Sequence, residues 1–177
     1  MNENWMDLIN RNVQLGNVMR SNEESERFGL SLSEEDAKLI LDERKNSLKE
    51  QQRVEFGKGV INKIISVFCD SPYIDRDNYA DMLIRLQDIF YLYKNETNDE
   101  MTDEELLNVM REQFDKLCFG DLDYLEGTCL ADFADAVRAG YSDYQANDGY
   151  GEYDRFDVVP RWNSELFYDK LRELREG

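Results

Sequence analysis

The pattern that most constrains this fold is a helical repeat of apolar residues between positions 77 and 95. Large apolar side chains recur there at steps of three and four: Tyr79, Met82, Leu83, Leu86, Ile89, Phe90 and Tyr93. This spacing places them on one side of an α-helix as a wide apolar stripe. The chain has only two prolines, Pro72 and Pro160, so helices elsewhere meet few breaks. We therefore predict an all-α protein.

Two start signals mark further helices. Ser33 precedes three acidic residues, and a serine at this position can accept hydrogen bonds from free amides in the first turn. It predicts a helix over about 34–52. Thr102 and Glu105 match a capping box, in which each side chain binds the other residue's backbone amide. They predict a second helix, which Gly120 stops.

Four other segments carry weaker helical patterns. Residues 1–20 predict either a docking helix or a frayed end. Residues 60–68 are strongly apolar and predict a core helix, although their β-branched residues leave a strand open. Thr128 opens a predicted short helix through to Gly140, and residues 163–175 predict a last amphipathic helix.

These segments predict a single helical domain of about six to eight helices. Residues 1–22 are an N-terminal helix or arm, and residues 23–140 are the helical core. Residues 141–177 are an acidic segment rich in tyrosine and glycine, followed by the C-terminal amphipathic helix.

The net charge of −18 is concentrated in one region. Residues 96–157 contain 18 acidic and four basic residues, whereas residues 1–95 carry a net charge of −4 and residues 158–177 are neutral. Nucleic acids and anionic membranes would repel such a region. We therefore expect either a basic partner surface or a role of the charge in solubility alone.

The chain has no histidine. This excludes a Ser-His or Cys-His nucleophile pair, a histidine-ligated zinc and an imidazole base. Gly57, Lys58 and Gly59 lack the spacing of a phosphate-binding loop. We predict a protein that is not an enzyme and has no cofactor, although carboxylates, lysine and tyrosine keep acid–base chemistry open.

Carboxylate pairs suggest a divalent-metal alternative. Asp-x-Asp pairs begin at Asp75 and at Asp121, the second followed by Glu126, and residues 143–154 mix acids with glycines. None of them continues in the register of a calcium-binding loop. Helix capping explains the two pairs better, and we predict no metal site.

Cys69, Cys118 and Cys129 form no Cys-x-x-Cys pair and lie among apolar residues. This favours buried packing and a cytoplasmic location. The N-terminus lacks the features of a signal peptide, and no apolar run approaches the roughly 18 residues that a membrane span requires.

Carboxylates of the acidic region, with its tyrosines, are the candidate partner-binding residues. Tyrosine supplies contact area at low entropic cost. The predicted set is Asp99, Glu100, Asp103, Glu104, Glu112, Asp115, Asp121, Asp123, Glu126, Asp132, Asp135, Asp143, Tyr144, Asp148, Tyr150, Glu152, Tyr153 and Asp154.

Several stretches resemble a family of uncharacterised bacterial proteins known from anaerobic Gram-positive species. They are residues 26–33, 68–71, 83–96 and 120–129, and the resemblance covers about residues 23–141. The family has no known activity, so the resemblance implies none for this chain.

We hypothesise a non-enzymatic acidic protein that binds a basic surface. A specific version of this hypothesis is a nucleic-acid mimic, in which carboxylates stand in for phosphates. Such a protein would inhibit a nuclease or DNA-binding protein, such as a restriction or CRISPR effector. One alternative is a carboxylate-based metal-binding protein or enzyme. Another is a helical oligomerisation or adaptor protein.

Overall fold

The computed structural model describes residues 5–55 and 59–139, and the regular elements in these ranges are helical. Eight α-helices lie in them, which confirms the predicted all-α class and the expected number of helices. They are α1 (Trp5–Arg20), α2 (Asn22–Ser25), α3 (Glu34–Glu50), α4 (Ile61–Phe68), α5 (Tyr79–Glu96), α6 (Asp103–Lys116), α7 (Leu122–Tyr124) and α8 (Leu130–Arg138), with a 3₁₀ turn at Glu26–Phe28 and a π-helical turn at Leu125–Cys129.

Both predicted helix starts carry a complete capping box. The Ser33 hydroxyl accepts from the Asp36 amide at 3.0 Å, and the Asp36 carboxylate accepts from the Ser33 amide at 3.1 Å. Thr102 and Glu105 exchange the same pair of hydrogen bonds at 3.1 and 3.0 Å. Each box satisfies two amides that have no partner within the helix.

The apolar segment 60–68 is a helix and not a strand. Ile61, Ile64, Ile65 and Phe68 are each at most 1% exposed, and they recur at the three- and four-residue spacing of one helical face. Burial of this face outweighs the preference of isoleucine for strands.

The helix predicted to begin at Thr128 begins earlier. The Asp121 carboxylate accepts from the amides of Asp123 and Tyr124 at 3.0 and 3.1 Å, so it caps α7. Helical structure then continues through the π-helical turn, which contains Thr128, into α8. The predicted helix through Val137 is present as α8, and only its predicted start at Thr128 was wrong, because a threonine inside a continuous helical run has no free amides to cap.

The described residues fall into two compact units, one up to Leu92 and one from Tyr93 onward, with the boundary inside α5. In the first unit, α1 packs against α3 and α4. The buried Gln87 side chain donates to the Ile40 carbonyl at 3.1 Å, which joins α5 to α3. In the second unit, α6 contacts the π-helical turn. The predicted segment 141–157 and the predicted helix 163–175 lie outside the described residues.

Within residues 5–55 and 59–139, no helix has the length and apolar character needed to cross a membrane.

Candidate functional site

The acidic residues of the second unit differ in their access to solvent. Within the described part, the partly buried members of the predicted set are Asp103, Glu112, Asp115, Glu126 and Asp132, and the exposed members are Asp99, Glu100, Glu104, Asp121, Asp123 and Asp135. The other predicted residues, Asp143, Tyr144, Asp148, Tyr150, Glu152, Tyr153 and Asp154, lie outside the described residues.

A buried lysine organises the turn between α5 and α6. Lys94 is 9% exposed, and its ammonium donates to the Met101 carbonyl at 2.8 Å and pairs with Asp103 at 3.0 Å. Thr97 is fully buried, and its hydroxyl donates to the Tyr93 carbonyl at 2.7 Å. These contacts hold the end of α5 to the start of α6 from the inner side of the turn.

The outer side of this turn carries carboxylates. Asn98 and Asp99 both adopt left-handed backbone conformations, with φ of 56° and 58°. Asparagine and aspartate tolerate this region better than other non-glycine residues. The Asp99 amide donates to the Lys94 carbonyl at 2.8 Å, which ends α5. The exposed Asp99 and Glu100 are therefore presented by a backbone of defined shape.

Arg138 contacts two more carboxylates at the end of α5, that of its last residue Glu96 and that of Asp135 on α8. One guanidinium nitrogen donates to the Glu96 carbonyl at 2.7 Å and to its carboxylate at 3.0 Å, and the other donates to the Asp135 carboxylate. The end of α8 therefore lies beside the end of α5. We call the exposed set Glu96, Asp99, Glu100, Glu104 and Asp135 the acidic edge.

Glu96 was not among the predicted site residues. In the sequence, only its position at the start of the acidic region pointed to a role for Glu96. Its contact with Arg138 could not be predicted, because the two residues are far apart in the chain. Other predicted residues have local structural roles. Asp121 caps α7, and Asp115 pairs with Arg111 at 2.7 Å within α6.

The described part of the second unit has a large charge imbalance. Residues 93–139 contain 13 acidic residues and four basic ones, of which Lys94, Arg111 and Arg138 form ion pairs inside the unit. Whatever the pairing, four cations cannot neutralise 13 carboxylates.

Burial, together with the nearby Glu126, raises the pKa of Tyr93 to about 12. Its phenol stays neutral and donates to the Glu126 carbonyl.

The first unit contains two clusters of ionisable side chains that were not among the residues predicted from the sequence. In one, the buried Arg44 donates from Nε to the Glu55 carboxylate at 2.8 Å, and the Tyr91 hydroxyl donates to the same oxygen. Burial and the adjacent Glu55 raise the pKa of Tyr91. These residues lie on α3, on α5 and in the connection after α3, and no local motif links them.

The second cluster is a carboxyl pair. Asp88 on α5 faces Glu43 and Ser47 on α3, and one of its carboxyl oxygens is buried without a hydrogen-bond partner among the described residues. Burial, followed by the contact with Glu43, raises the pKa of Asp88 to about 7. A nearby carboxylate and loss of water both disfavour the charged form of a carboxyl group, which accounts for the direction of the Asp88 shift.

Among the described residues, no group of three or more acids and cysteines is arranged to hold a metal ion. The Asp75 carboxylate accepts from the amides of Asp77 and Asn78, both at 2.9 Å. This geometry agrees with the capping interpretation of the first Asp-x-Asp pair.

The fold and the acidic edge define the class as an all-α protein with a strongly acidic helical unit. The chain belongs to a family of unknown function (DUF6323), whose model matches residues 17–143. This confirms the predicted resemblance to an uncharacterised family. No curated protein matches the chain. No solved structure matches it either.

Proposed function

We propose that this protein is a non-enzymatic binding protein whose acidic edge engages a basic partner surface. The observation that carries the proposal is the turn between α5 and α6, where Lys94 and Thr97 fix the inner side and exposed carboxylates occupy the outer side. Preorganised charge raises the association rate and selects a partner of opposite sign. We place this activity in the cytoplasm of a bacterium or of a phage-infected cell.

The specific form that we favour is a nucleic-acid mimic. Carboxylates at the end of α5, at the start of α6 and near the end of α8 would take the places of phosphates in the basic channel of a nuclease or DNA-binding protein. The channel of a restriction or CRISPR effector is of this kind. Such a mimic inhibits by competition, so duplex DNA and the protein would exclude each other from the partner.

The test is a pull-down from nuclease-treated bacterial lysate with the full-length tagged protein. Bound proteins are eluted with rising salt and, separately, with duplex DNA. The edge variant Asp99→Asn, Glu100→Gln, Glu104→Gln removes three exposed charges, and asparagine at position 99 keeps a residue that tolerates the left-handed backbone. The matched control Glu23→Gln, Glu26→Gln, Glu35→Gln removes three exposed charges from the first unit.

We expect a DNA-binding protein that the wild type and the control capture, that DNA releases and that the edge variant loses. Capture that survives in the edge variant, or that DNA does not reverse, would reject the mimic.

The carboxylate-based alternative has one supporting observation, the Glu43–Asp88 pair in the first unit. Paired carboxyls with a raised pKa occur at acid–base sites. A bound divalent ion would stabilise the fold in proportion to its concentration. An unchanged melting temperature with calcium, magnesium and manganese would reject the metal form of this alternative.

The oligomerisation alternative is supported by an exposed apolar face on α1. Trp5, Ile9 and Val13 are 67%, 45% and 57% exposed and follow one another at four-residue steps. Size-exclusion chromatography of the full chain and of a chain without residues 1–20 tests it. Two monomers of the expected sizes would reject this alternative.

A further inference from the structure

Two thiols of the second unit lie in contact. The Sγ atoms of Cys118 and Cys129 are 3.5 Å apart, and both cysteines are buried thiols. A disulfide bond is about 2.05 Å long, so the sulfurs need to approach by only about 1.5 Å. Cys69, the third cysteine, belongs to the first unit and is also a buried thiol.

The backbone is irregular at both thiols. Cys118 comes after the end of α6 and directly before Phe119 and Gly120, which have φ of 50° and 85°. Cys129 is the last residue of the π-helical turn. A π-helical turn is rare and is often found at functional sites. Neither thiol therefore lies inside the regular turns of α6 or α8.

We propose that Cys118 and Cys129 form a reversible dithiol–disulfide switch that links the end of α6 to the start of α8. The oxidant is a peroxide. One thiolate attacks the peroxide O–O bond, which gives a sulfenic acid and releases one water or alcohol. The second thiol attacks that sulfur, the S–S bond forms and a water leaves. The two sulfurs lose two electrons in total, and the peroxide gains them.

The surroundings make this switch slow at neutral pH. The hydrogen bond with Cys129, together with burial, raises the pKa of Cys118. The thiolate is the reactive species, so little of it is present at neutral pH. The rate of disulfide formation should therefore rise with pH, and the reaction should respond to sustained rather than brief oxidation.

The disulfide would close a short loop, since the two cysteines are 11 positions apart. Closing a loop of this size restricts the unfolded chain, and we expect the melting temperature to rise by about 5–10 °C. The oxidised form would thus hold the end of α6 and the start of α8 in a more rigid arrangement.

The experiment treats the full-length protein with hydrogen peroxide, blocks the remaining thiols by alkylation and maps the peptides by mass spectrometry. We expect a disulfide between Cys118 and Cys129, an alkylated Cys69, a raised melting temperature and reversal by dithiothreitol. Cys69→Ala should behave as the wild type does, and Cys118→Ala should give no internal disulfide and no rise in melting temperature.

Circular dichroism checks that each variant keeps its helical content. If Cys118→Ala fails to fold, Cys129→Ala and the wild-type peptide map decide the question. The proposal is overturned if peroxide oxidises Cys69 first, if Cys118 and Cys129 go on to sulfinic or sulfonic acids without pairing, or if disulfides form only between chains.

Discussion

The carboxyl of Asp88 shows how much one residue's surroundings alter its chemistry. It lies on α5 in contact with Glu43, partly out of solvent, and burial followed by that contact raises its pKa to about 7. An exposed aspartate ordinarily titrates near pH 4. Since the pKa is higher in the folded chain than in the unfolded chain, the folded chain binds more protons between about pH 4 and about pH 7. The contribution of Asp88 to stability is therefore greatest at low pH and falls as the pH rises through this window.

We predict that Asp88→Asn removes this pH dependence. The wild type should lose about 1–2 kcal/mol of unfolding free energy through this group between about pH 5 and about pH 8, and Asp88→Asn should be the more stable protein at about pH 8. Urea unfolding at the two pH values measures both effects. Asp81→Asn, an exposed position on the same helix, is the control and should keep the wild-type pH profile. A profile unchanged by Asp88→Asn would contradict the assignment.

The entry into α4 depends on a contact with another helix. Gly59 precedes α4 with φ of 81°, and a Cβ at this position would lie 2.6 Å from the Nε of Arg44 and 3.0 Å from the Glu55 carboxylate. Arg44 is 7% exposed and holds Glu55 in an ion pair. A buried ion pair that loses its geometry leaves charge poorly compensated. The start of α4 is thus coupled to the buried guanidinium of α3.

We predict that Gly59→Ala destabilises the protein by about 2–4 kcal/mol, because it adds a clash with Arg44 to the backbone strain. Gly29→Ala is a matched control: Gly29 has φ of 79°, but a Cβ there has no atom within 4 Å. It should cost only about 1 kcal/mol. Chemical denaturation of both variants separates the cost of the clash with Arg44 from the cost of the backbone strain. Equal losses would show that the Arg44 contact contributes nothing.

At the scale of the whole molecule, the dominant property is a net charge of −18. Repulsion among like charges destabilises a compact state, and salt screens it. The carboxylates of residues 93–139 far outnumber the bases, so screening of repulsion should outweigh the weakening of ion pairs such as Arg138–Glu96.

We predict that the melting temperature rises by several degrees when the ionic strength increases from about 0.01 M to about 0.15 M, which shortens the Debye length from about 30 Å to about 8 Å. Differential scanning fluorimetry in sodium chloride measures it. The variant Asp99→Asn, Glu100→Gln, Glu104→Gln should show a smaller rise, since it has less repulsion to screen. A melting temperature that falls with salt would mean that ion pairs dominate instead.

The sequence by itself determined the helical class and several helix ends. The helix starts at Ser33 and Thr102 depend on local interactions, because a capping side chain and the amides that it binds lie within four residues of each other. The same holds for the apolar stripe of α5, whose period alone specifies a helix. Net charge is a sum over residues, so the acidic character of residues 96–157 needed no coordinates.

Only the tertiary structure decided which distant residues meet. The contacts of Arg138 with Glu96, of Asp88 with Glu43, and of Cys118 with Cys129 join positions 42, 45 and 11 residues apart. Helix packing sets these contacts, and a linear pattern carries no record of which helix faces meet. Thr128 likewise has a side chain that can cap a helix, but the sequence does not show that it lies inside a continuous helical run with no free amides to cap. Burial, and with it the altered pKa values, also follows from packing, since local sequence does not say which side chains lose their water.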